Sequence, residues 1–137
     1  MYEALTNLIE RIENTCPGKW MVDNNHAGTK EDPKRLPWVK YDESLFELQA
    51  NIVCFMKEHE YLHIRNTNKY LVEKGIDMCH VSMIKDTLSQ FDGTTIMAMF
   101  DWILRSERFY EGNLLELAED GTIVALLRRL KEIDMGL

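Results

Sequence analysis

No stretch of this chain approaches the roughly 20 consecutive apolar residues that a bilayer-crossing helix needs. The first residues, MYEALTNLIERIEN, carry acids early and lack the uninterrupted apolar centre of a secretory leader. Cysteine is scarce: Cys16, Cys54 and Cys79 are odd in number, widely spaced and form no CxxC. That pattern indicates neither a zinc ribbon nor a disulfide framework, and it fits reduced thiols in a cytoplasmic protein. Positive charge is also in deficit, with 16 Lys and Arg against 23 Asp and Glu and a net charge of −7. Phosphate contacts need a basic surface, so direct nucleic-acid or anionic-membrane binding is disfavoured, while docking on a basic partner is permitted. There is no glycine-rich phosphate loop, no nucleophile–base pair, no RNA-binding signature, no internal repeat and no low-complexity segment.

What is present is helical patterning. With 137 residues, 45% of them hydrophobic, the chain fits one domain spanning 1–137 with a sizeable core. Leu5, Leu8, Ile9 and Ile12 share a face, predicting a first helix over Met1–Asn14 that Pro17-Gly18 ends. Residues 15–40 are the least regular. Lys19–Asp23 and Leu36–Tyr41 read as two short strands around a polar stretch, a small hairpin or ordered excursion pinned by Trp20 and Trp38. Asp42 or Ser44 opens a helix through about Glu58, with Leu45, Leu48, Ile52, Phe55 and Met56 inward. A short helix starts at Asn66 or Thr67 and closes at Gly75, and another runs from about Cys79 to Gln90.

The clearest signals lie at the end of the chain, over 94–133. Thr94 and Thr95 offer caps for a helix with Ile96, Met99, Phe100, Ile103 and Leu104 on one face, and Gly112 supplies a left-handed stop. Asn113 with Glu116 resembles a capping box for a second, short helix. Thr122 then caps a last helix carrying Ile123, Leu126, Leu127, Leu130 and Ile133. The expected fold is mainly α: a single-domain bundle of six or seven helices with at most one small β-hairpin.

The run Arg105-Ser-Glu-Arg-Phe109, then Glu111-Gly112, Glu119-Asp-Gly121 and Leu127-Arg-Arg-Leu130, resembles the C-terminal signature of the DUF6508 family. Leu36-Pro-Trp-Val-Lys-Tyr41, followed by an amphipathic helix, is similar to that family's middle section. The resemblance implies a fold and a set of motif positions in bacterial proteins often found near mobile elements. It implies no activity.

Two constellations invite chemistry. His59-Glu-Tyr-Leu-His63 is a literal HExxH, which on a helix sets two zinc-binding histidines on one face with a glutamate as general base. Lys57, Glu58, Arg65 and Asn66 flank it, however, so the helix is expected to end across the motif. The extended form needs glycine at 66 and a third, histidine ligand at 69, where this chain has Asn66 and Lys69. The expected reading is a solvated helix end, with no metal and no cofactor; His59 and His63 are the residues a zinc hydrolase would use. The second constellation is Arg105 and Arg108, just ahead of the Gly112-Asn113 turn. Guanidinium groups beside free helix N–H groups could hold an anion or nucleotide, with Asn113 as a further ligand. Salt bridges from Arg108 to Glu111, Glu119 or Asp120 would instead lock the turn. With no coherent catalytic set, the expected function is non-enzymatic: interaction with another protein, as in an accessory protein of a mobile element or phage, with self-association an open alternative.

Overall fold

In a computed structural model of the chain, residues 1–59 and 66–137 are described. They form seven α-helices and one two-stranded antiparallel sheet, a mainly α fold built on one hydrophobic cluster. No helix among them is long and apolar enough to cross a membrane.

The centre is α5, Gly93–Ser106. Thr95, Ile96, Met97, Ala98, Met99, Phe100 and Ile103 are all buried on it. A helix apolar around most of its circumference must be enclosed, and α5 packs against helices on several sides. Its start differs from the threonine caps predicted: Asp92 is the N-cap and its carboxylate accepts from the Thr95 N–H at 2.9 Å. An aspartate is the stronger acceptor, and its charge suits the helix N-terminus. Gly93 is required there, because a Cβ would fall 1.9 Å from the Tyr2 hydroxyl.

Around α5 lie α3 (Glu43–Glu58), α4 (Thr67–Glu73), α6 (Asn113–Glu119) and α7 (Thr122–Asp134). The Asp42 carboxylate caps α3, accepting from the Ser44 N–H at 3.0 Å and the Ser44 hydroxyl at 2.6 Å. Asn66 caps α4 through the Lys69 N–H, and Gly75 closes it at φ 77°. Leu45, Leu48, Ile52 and Phe55 of α3 and Ile123, Leu126, Leu127 and Leu130 of α7 are buried.

The N-terminal helix is in two pieces, α1 (Glu3–Thr6) and α2 (Ile9–Asn14), where one was expected. Neither has a side-chain cap, and the break at Asn7–Leu8 lets Tyr2, Leu5, Leu8 and Ile12 all stay buried. Both pieces pack on α7, and the Tyr2 N–H reaches the Asp134 carboxylate at 2.8 Å.

The helix expected over Cys79–Gln90 is likewise absent. Two 3₁₀ turns, Met78–Ile84 and Leu88–Gln90, replace it. His80 leaves helical geometry at φ −124°, and the Thr87 hydroxyl donates to the Ile84 carbonyl, competing for a backbone acceptor the helix would need. Val81 and Leu88 still reach the core.

The expected hairpin is present: β1 (Gly18–Met21) pairs with β2 (Trp38–Tyr41), Gly18 opposite Tyr41 and Met21 opposite Trp38. The intervening residues are ordered by carboxylates. Asp23, only 5% exposed, accepts from the N–H groups of Arg35 at 2.7 Å, Asn25 at 2.9 Å and His26 at 3.2 Å. Those bonds, the Arg35 one foremost, hold the Asp23 carboxyl below its ordinary range. Asp32 closes the tip, accepting from the Ala27 N–H while its own N–H donates to Thr29.

Candidate functional site

The stretch Arg105–Asn113 leaves α5, turns and enters α6, and its residues divide into two sets. One set is consumed by the fold. The Ser106 hydroxyl donates to the Ile103 carbonyl at 2.7 Å and accepts from the Asn113 side-chain amide at 2.9 Å. Glu107 accepts from the Leu114 N–H at 2.6 Å, the Gly112 N–H at 3.4 Å and the Tyr41 hydroxyl at 2.8 Å. Burial, and then this carboxylate, push the Tyr41 hydroxyl well above the usual tyrosine range. Glu111 accepts from the β2 N–H of Val39 at 3.1 Å. Gly112 sits at φ 97° beneath the Trp20 ring, where an added Cβ would lie 2.5 Å from it. Two carboxylates and a glycine therefore clamp the hairpin onto the helical body.

This corrects the expected capping. Gly112, not Asn113, is the N-cap of α6 and makes no side-chain cap bond. The free N–H groups at the start of α6 are met by Glu107 from the preceding turn, so the anion that this helix start attracts is already a side chain of the chain itself. Gly121 likewise replaces Thr122 as the N-cap of α7, and the Asp120 carboxylate takes the Thr122 N–H at 2.9 Å. The Thr122 hydroxyl is buried with no hydrogen-bond partner among the described residues. Trp20 rests on Gly112 as an anchor, whereas Trp38 lies 4.7 Å beneath the Arg35 guanidinium within the hairpin itself.

The other set is left over. Phe109 is 93% exposed, and Tyr110 is 57% exposed with its hydroxyl donating a long bond of 3.5 Å to Glu116. Arg105 pairs with Asp101 at 2.9 Å, one helical turn back, and Asp101 also accepts the Thr67 hydroxyl at 2.6 Å. Arg108 is exposed, and among the described residues its side chain has no ion pair with Glu111, Glu119, Asp120 or any other acid.

These residues border two neighbouring depressions that share Arg105. One, of about 540 Å³, is largely apolar and is lined by Asn66, Thr67, Asn68, Trp102, Arg105, Ser106, Phe109 and Tyr110. The other is an open groove of about 1170 Å³ between α3 and α5, with Gln49, Val53, Met56 and Lys57 on one side and Leu104, Arg105 and Arg108 on the other. Asn113 faces neither; it lines a separate depression of about 430 Å³ with Cys79, Ser82, Glu116 and Asp120. The two arginines are thus brought together, and Asn113 is set apart from them. Val53, Lys57 and Trp102 belong to no motif, yet they line the same surface. Val53 is exposed on the outward face of α3, off its buried stripe, and nothing in the sequence pairs it with α5.

His59 is the non-helical cap of α3, at φ −117° and ψ 64°. Its ring stacks on Phe55 at 4.1 Å and its Nδ1 lies 3.0 Å from the Phe55 carbonyl. Glu60 and His63, the rest of the HExxH string, lie outside the described residues. Among the described residues no group of three His, Cys, Asp or Glu is placed to hold a metal ion.

No curated protein and no solved structure matches this chain. The model of DUF6508, a family of unknown function, matches residues 1–135, and the chain belongs to that family.

Proposed function

We propose that this protein is not an enzyme and acts by docking on a second protein through the face formed by Trp102, Arg105, Arg108, Phe109 and Tyr110. One observation carries the reading. Within the single run Arg105–Gly112, Glu107 and Glu111 are bonded inward, while an aromatic pair and the Arg108 guanidinium, unpaired among the described residues, are exposed on the same turn. Tryptophan, tyrosine and arginine are the residues that dominate protein interfaces, because each combines a large contact area with a polar handle. A 93% exposed phenylalanine has no role in the stability of this fold that its surroundings reveal. The setting we propose is the cytoplasm, which the free, exposed Cys16, Cys54 and Cys79 fit. An accessory role on a mobile element or phage is the version suggested by the family resemblance.

The test is affinity capture with the intact chain and with a Phe109→Ala/Tyr110→Ala double variant of matched melting temperature. A protein retained by the first and lost from the second supports the reading. A partner held equally by both, or none recovered under several conditions, counts against it.

Arg108, unpaired among the described residues, also favours a second reading, in which the groove holds an anionic small molecule with Lys57 and Arg105. A nucleotide that raised the melting temperature of the protein, but not that of Arg108→Ala, would select it.

A further inference from the structure

The groove between α3 and α5 carries enough chemistry to describe its occupant. Resting on the docking reading above, we propose that it receives an amphipathic helix of the partner protein, apolar along one stripe and acidic beside it. The stretch Gln49–Lys57 borders the groove, and at 1.5 Å per helical residue it runs about 12 Å, or a little over two turns. Val53, Met56 and Leu104 supply an apolar floor, and methionine adapts readily to a partner's shape. A helix laid in such a trough presents side chains at i, i+3 or i+4, and i+7, which is the spacing a floor of this length takes up.

The rim fixes the sign of the partner. In a chain of net charge −7, Lys57, Arg105 and Arg108 all border this one groove. Among the described residues Asp101 is the only acid lining it, and Asp101 is already engaged by Arg105 and Thr67. Among the described residues the unneutralised charge of the rim is therefore positive. Nucleic acid is disfavoured, because a polyphosphate would meet the acidic remainder of the surface and leave the apolar floor uncovered. A few carboxylates on a greasy helix feel the local cations, while charges farther away than a Debye length of about 8 Å are largely screened.

The experiment is selection of a displayed library of helical peptides, randomised along one face, against the intact protein. Enriched sequences should carry apolar residues at the spacing above with Asp or Glu beside them. Their affinity should fall about tenfold or more with Val53→Glu and with Arg108→Glu, at unchanged melting temperature. Replacing Glu by Lys in a selected peptide should restore binding to Arg108→Glu. Failure to enrich any helix, enrichment of basic sequences, or displacement of the peptide by a DNA oligonucleotide would overturn the inference. Peptides that depended on Phe109 and Tyr110 but not on Val53 or Arg108 would also overturn it, and would leave the broader docking reading standing.

Discussion

The two ends of α5 obey different rules. From Thr95 to Ile103 almost every side chain is enclosed, whereas from Arg105 onward the same helix and its exit turn alternate between residues bonded inward and residues projecting into solvent. Packing explains the first part completely: an apolar residue there removes surface from water and fills space that its neighbours define. It explains only half of the second. Where a short segment holds both clamps and conspicuous surplus, the surplus is the place to look for function.

The sharpest way to break this contrast is at its buried end. Phe100→Ala should destabilise the protein by about 3–5 kcal/mol, measured by denaturant unfolding, through lost burial and the cavity left behind. Glu107→Ala should cost about 1–3 kcal/mol, since it strips an acceptor from the start of α6 and from Tyr41 at once. It should also free the hairpin, read as a change in tryptophan fluorescence as Trp20 leaves Gly112. An unaltered fluorescence would show that the hairpin is held by other means.

Acid should act next, and by a stated route. Asp23, Asp42 and Asp92 are held below the ordinary carboxylate range, by the Arg35 N–H, the Ser44 side chain and the Thr95 side chain respectively. Each is a better acid folded than unfolded, so its contribution is fully present above the unfolded value of about 4 and is lost as the pH falls through the lowered one. Melting temperatures should therefore be flat near neutrality and fall below about pH 4, with Asp23→Asn first exposing residues 24–34 to protease. Thr122→Val should go the other way, raising stability by about 1 kcal/mol, because the buried hydroxyl it removes has no partner among the described residues. Smallest of all, Phe109→Ala and Arg108→Glu should change stability by no more than about 0.5 kcal/mol. A larger loss in either would mean that the surplus set belongs to the fold after all.

Much of this architecture can be read from residue order. The apolar faces of α3, α5 and α7 and the pair of short strands follow from periodicity and turn chemistry, because each is decided within a few residues; Gly112 is left-handed as expected, but it opens α6 rather than stopping α5, which ends at Ser106. The failures share one physical cause. Threonine and asparagine were natural caps for α5, α6 and α7, yet aspartate or a distant glutamate satisfied the N–H groups, since carboxylates compete better for the same donors. Glu107 could not be recognised as the clamp, because its partners Tyr41 and Leu114 are brought together only by the fold. Residues 78–90 carried helical spacing, but local bonds from Asp77 and Thr87 overrode it. For the candidate site, Arg105 and Arg108 were visible as a motif. Lys57 and Val53 were not, because they come from the far side of a groove that exists only once α3 lies against α5.

The clamp on the hairpin has a temporal consequence. Its anchors are distant in the chain: Val39 waits for Glu111 and Tyr41 for Glu107, separations of 72 and 66 residues. The first two helices wait longer still, since Tyr2 meets Asp134 and α1 and α2 pack on α7. During synthesis the amino-terminal third must therefore leave the ribosome with its docking sites unmade, and α7 emerges only after it. These contacts cannot form until α5–α7 have been synthesised, and non-local contacts of this kind slow folding. A chain truncated within α7 would forfeit the seat of its own beginning.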